Sequence, residues 1–68
     1  MPKLYSSKQI ESVLLKYGFL FISQKGSHAK YRKDSKTVIL PMAKKEIPMG
    51  TFRSITRQAG LAPEDFKK

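Results

Sequence analysis

The chain contains no cysteine, which excludes a disulfide scaffold and a cysteine-based zinc site. Acidic residues are scarce, five against fourteen Lys and Arg. Two-metal nuclease chemistry needs clustered carboxylates. Glu64-Asp65 is the one adjacent acidic pair, and helix-start charge accounts for it, while Glu11, Asp34 and Glu46 are scattered. No metal site and no cofactor are therefore expected. The four glycines make no Walker loop, no G-x-S-x-G elbow and no dinucleotide turn. No apolar run reaches the length of about 18 residues that a membrane span needs. Met1-Pro2-Lys3-Leu4-Tyr5-Ser6 lacks the apolar core of a signal peptide. These absences point to a soluble, cytoplasmic protein.

What remains is small and strongly basic. The 68 residues carry a formal charge of +9, and 40% of them are apolar. That suffices for one thin core, and a single domain over residues 1–68 is expected. The charge calls for a polyanionic partner, most simply a nucleic acid. An acidic protein or an anionic membrane surface are the alternatives.

Periodicity and punctuation give the element order. Ile10, Val13, Leu14 and Tyr17 form one helical stripe within Tyr5–Tyr17. Ser6 and Gln9 have capping-box spacing, Tyr5 can staple onto Ile10, and Gly18 suits a left-handed cap. Phe19–Gln24 reads as a strand, Lys25-Gly26 as a two-residue turn and Ser27–Arg32 as the returning strand. Lys33–Lys36 is a polar loop, and Thr37–Leu40 is a third strand ended by Pro41. A basic connection then leads to Pro48 and a second helix with Phe52, Ile55 and Ala59 on its apolar stripe and Gly60 as its cap. Pro63–Phe66 makes a last helical turn, and Phe66 is expected to return to the core with Phe19, Phe52 and Ile55. The reading is α+β: an α-β-β-β-α order, with a three-stranded antiparallel sheet and the helices on one face.

Strand alternation then sorts the middle strand. Ser27, Ala29 and Tyr31 share the face toward the helices, and His28, Lys30 and Arg32 share the open face. Between Ser23 and Lys45, the cations Lys25, Lys30, Arg32, Lys33, Lys36, Lys44 and Lys45 face a single acid, Asp34. Such a patch suits phosphate binding, although lysine-rich loops also serve solubility. His28 is the one histidine of the chain. Cations beside it favour the neutral imidazole that a general base needs, and the same cations would hold a phosphate. Such a base would take the proton of a ribose 2′-hydroxyl for attack on the adjacent phosphate. Taken alone, a single strand histidine is more often a plain surface residue.

Gly18-Phe19, then Gln24-Lys25-Gly26-Ser27-His28 with Tyr31 after it, closely resembles the motif of the HicA toxin family. Val38-Ile39-Leu40-Pro41, Gly50-Thr51-Phe52-Arg53-Ser54-Ile55 and Arg57-Gln58-Ala59-Gly60-Leu61 resemble that family's proline-ended strand and second helix. The resemblance runs from about Ser6 to Phe66. It implies a double-stranded-RNA-binding-domain-like fold and the activity of a ribosome-independent mRNA interferase of a type II toxin–antitoxin module. It also implies a HicB antitoxin that covers the active site, with His28 as the catalytic histidine. The RNA-binding set would be Lys25, Gly26, Ser27, Lys30, Arg32, Lys44 and Lys45. Two positions depart from the pattern: many relatives carry histidines where this chain has Ala29 and Ala43. A two-histidine acid–base pair is therefore excluded, and His28 would work with water, another acid, or the charges of Lys30 and Lys45. A non-catalytic RNA-binding module is the alternative function, and a pure interaction protein a third.

Overall fold

The computed structural model describes residues 4–67. Met1, Pro2 and Lys3, part of the segment read above as lacking a leader's apolar core, lie outside the described residues. The element order is α1 (Ser7–Lys16), β1 (Leu20–Lys25), β2 (His28–Lys33), β3 (Lys36–Pro41), α2 (Met49–Ala59) and a closing 3-10 turn (Pro63–Phe66). The strands form an antiparallel meander in the order β1-β2-β3. This is the α+β, double-stranded-RNA-binding-domain-like arrangement that the sequence predicts.

Local chemistry starts and stops the helices as expected. The Ser6 hydroxyl accepts from the Gln9 amide at 3.1 Å, and the Gln9 side chain accepts from the Ser6 amide at 2.9 Å. Ile10 and Leu14 are fully buried, while Val13 and Tyr17 pack half-buried against the same cluster. In α2, Phe52, Ile55 and Ala59 are buried. Gly60 then takes φ +69°, which lets the Leu61 amide reach the Thr56 carbonyl at 3.0 Å and close the helix.

One apolar cluster joins both helices to one face of the sheet. Ala29, Tyr31, Val38 and Leu40 supply the sheet side. The Tyr5 and Phe66 rings each lie 5.1 Å from the Phe52 ring, so the segment before α1 and the closing turn meet over α2. Tyr31 is buried to its ring, and its hydroxyl donates to the Glu11 carboxylate of α1. Burial first, and then the Glu11 hydrogen bond and charge, push the Tyr31 phenol upward, so it stays a protonated donor that ties β2 to α1.

Boundaries differ from the sequence reading at both ends of α1, which spans Ser7–Lys16 and not Tyr5–Tyr17, and at three places in the sheet. The first turn is Gly26-Ser27 and not Lys25-Gly26, because Lys25 pairs with His28. Positive φ at Gly26 alone is the pattern of a hairpin turn with glycine at its first central position. Ser27 is therefore an exposed turn residue and is not on the helix-side face of β2. The polar loop Lys33–Lys36 contracts to Asp34-Ser35, since Lys33 and Lys36 pair with each other. Phe19 is buried but precedes β1, and β1 itself has no buried residue.

Ala43 takes φ +61°, a left-handed conformation that costs a residue with a Cβ about 1 kcal/mol. Its side chain is exposed, so nothing in its packing offsets that cost. Ala43→Gly is expected to raise stability by about 0.5 to 1 kcal/mol. A urea titration checks this, and an unchanged or lowered midpoint would contradict the strain.

Candidate nucleic-acid interface

Alternation and register bring together most of the predicted set. His28, Lys30 and Arg32 point from β2 to the open face, and all three are exposed, while Ala29 and Tyr31 between them are buried. Cross-strand partners share a face. Lys25 lies opposite His28 on β1, and Pro41 lies opposite it on β3. Ser23 and Ile39 flank Lys30, and Leu20 and Thr37 flank Arg32. His28 thus stands at one end of an open face with a lysine beside it on the neighbouring strand and another on its own.

The end of the sheet that holds His28 is tied down from three sides. The Met42 amide donates to the Ser27 carbonyl at 2.6 Å, joining the first turn to the exit of β3. The Ser7 hydroxyl donates to the Pro41 carbonyl at 2.6 Å and accepts from the Lys44 amide at 3.0 Å. The Ser7 amide also donates to the Lys44 carbonyl at 2.9 Å. Ser7 therefore positions the loop carrying Lys44 and Lys45 against the start of α1, on the strand exit opposite His28. Ser7 is 3% exposed, and the sequence carries no signal for it, since Ser6 has the capping pattern and Ser7 looks like one more polar first-turn residue. A cleft of about 400 Å³ lies between this loop and the start of α1, lined by Ser6, Ser7, Lys8, Glu11 and Met42–Lys45.

Two cations of the sequence patch lie elsewhere. Lys33 and Lys36 are at the far end of the sheet from His28. The Lys33 ammonium donates to the Tyr17 carbonyl at 2.7 Å, at the C-terminal end of α1. The Lys36 ammonium lies beside Gly60, 3.0 Å from where a Cβ would sit, at the C-terminal end of α2. Both positions oppose a lysine to the negative end of a helix dipole, which makes them structural contacts. The candidate patch narrows to Lys25, Lys30, Arg32, Lys44 and Lys45, with Gly26 and Ser27 exposed in the first turn.

The positions where many relatives of the resemblance carry a second histidine are also resolved. Ala29 is fully buried on the helix side, so its side chain is not on the face of His28. Ala43 is exposed on the loop beyond Pro41. Among the described residues, no group of three or more His, Cys, Asp or Glu is placed to hold a metal ion.

The fold and this face define a small basic α+β protein with a strand histidine among cations on its open sheet face. The family model for the HicA toxin of bacterial toxin-antitoxin matches residues 7–61. The chain belongs to the HicA toxin family. No curated protein matches it. Among the described residues, no helix is long and apolar enough to cross a membrane.

Proposed function

We propose that this toxin acts as a metal-independent endoribonuclease on mRNA in the cytoplasm and is neutralised by a HicB antitoxin. The observation that supports the reading most is the exposure of His28 beside Lys25 and Lys30 on one open face. An imidazole is the side chain whose ordinary titration range spans neutral pH, so it serves as a base there. His28 takes the proton of a ribose 2′-hydroxyl, and the freed oxygen attacks the adjacent phosphorus. The bond to the 5′-oxygen breaks, leaving a 2′,3′-cyclic phosphate, and the departing oxygen takes a proton from water. Lys30 and Lys45 supply positive charge as the phosphate gains negative charge. Lys25, Arg32 and Lys44, with the backbone of Gly26 and Ser27, hold neighbouring phosphates.

The test is cleavage of a labelled RNA in EDTA, together with binding measured across a salt series. Cleavage in EDTA is expected, and a strict need for a divalent ion would overturn the mechanism. Lys30→Ala with Arg32→Ala is expected to weaken RNA binding about tenfold or more and to flatten its salt dependence by about two phosphate contacts. Unchanged affinity would remove the β2 face from the binding surface. Salt-sensitive binding with no cleavage under any condition would favour the alternative, a non-catalytic RNA-binding module.

A further inference from the structure

β1 is an apolar strand that the fold leaves uncovered. Leu20 is 66% exposed, Phe21 53% and Ile22 51%. Phe21 touches the fold through an edge-on contact with the Tyr31 ring at 5.8 Å, and Ile22 is the extra residue of a bulge against β2. Among the described residues, no strand neighbours the outer edge of β1. At the opposite edge, the Gln58 side chain of α2 accepts from the Ile39 amide at 3.1 Å, so that edge is partly closed. Exposed edge strands are ordinarily guarded by charge, proline or shortness. β1 has Lys25 at one end and three large apolar residues at the other, the bulge residue Ile22 among them. A strand of this kind is kept in a protein when something pairs with it.

The chemistry of the strand and its surroundings selects the occupant. Leu20 and Ile22 are aliphatic and offer bases no stacking platform, and the Phe21 ring already meets Tyr31 edge-on, so this edge is suited to protein and not to RNA. A second copy would set one charge of +9 against another. An acidic partner is instead attracted, because Lys25, Lys30 and Arg32 border the edge on the open face.

We propose that β1 is the docking edge for an acidic partner protein, which adds a strand alongside Leu20–Lys25. Apolar side chains of that strand cover Leu20, Phe21 and Ile22, and its acids meet Lys25 and its neighbours. The inference rests on the toxin reading in one respect, that the partner is the antitoxin. Strand addition here explains neutralisation without a plug: acids drawn to Lys25, opposite His28, displace the phosphates that the same cation would hold.

The test uses the full chain with a HicB-family antitoxin protein. Amide hydrogen exchange of the complex is expected to show β1 amides slowed relative to the free chain. Leu20→Thr with Ile22→Thr, which keeps strand propensity and removes apolar area, is expected to weaken the antitoxin about tenfold or more while RNA cleavage is unchanged. Absence of a complex, protection confined to the helices, or unchanged affinity of the variant would overturn the proposal. So would wild-type self-association lost in the variant, which would mark a second copy, or loss of RNA binding, which would mark an RNA surface. A wild type that cuts no RNA and still binds antitoxin through β1 would defeat the nuclease reading and leave this one standing.

Discussion

His28→Ala is expected to lower RNA cleavage by about 10²- to 10⁴-fold, the usual contribution of a positioned acid or base. The loss should approach the upper figure, because the chain has no other histidine to take over. Its register neighbours are Lys25 and Pro41, and neither serves as a base near neutral pH. The fold should be indifferent to the change. The His28 side chain is exposed and appears in no side-chain hydrogen bond among the described residues, so stability should move by no more than about 0.5 kcal/mol. Single-turnover cleavage and a thermal melt on the same samples check both halves. RNA binding is expected to stay near the wild-type level, since the surrounding lysines remain. Cleavage at the wild-type rate by the variant would remove His28 from the chemistry.

Phe52→Ala is expected to be the most damaging substitution to stability. Phe52 is 4% exposed, and its ring meets Tyr5 and Phe66, each at 5.1 Å. It holds the segment before α1 and the closing turn onto α2. Truncating a buried phenylalanine costs about 3 to 5 kcal/mol. The whole stability of a chain this small is about 3 to 10 kcal/mol. The variant should therefore be largely unfolded at physiological temperature, seen as collapsed dispersion in a proton NMR spectrum. Phe21→Ala makes the contrast, because the same side chain is half exposed at the sheet edge and should cost little. A well-folded Phe52→Ala protein with an unchanged melting point would contradict this account of the core.

The β2 face needed no tertiary information to be read. Two buried residues, Ala29 and Tyr31, alternate with His28, Lys30 and Arg32, and a period of two puts the second set on the other face whatever covers the first. The helix signals are local in the same way. The Ser6–Gln9 box, the Ile10–Leu14 stripe and the Gly60 cap depend on residues within a turn or two of one another.

Sequence by itself thus determined the element order, the apolar stripes and the side of the sheet on which His28 stands. Tertiary structure decided everything that depends on a distant partner. It moved the first turn to Gly26-Ser27, because pairing with β3 and the Met42 contact begin β2 at His28. It buried Ser7 under the Lys44 loop, residues far apart in the chain. It drew Lys33 and Lys36 to the ends of the helices and away from the cations around His28. It also left Leu20, Phe21 and Ile22 uncovered, although their composition reads as an interior strand. The physical reason is common to all four. Hydrophobicity and periodicity say that a residue has a face to bury, but which faces are covered depends on how far two short helices reach across three strands.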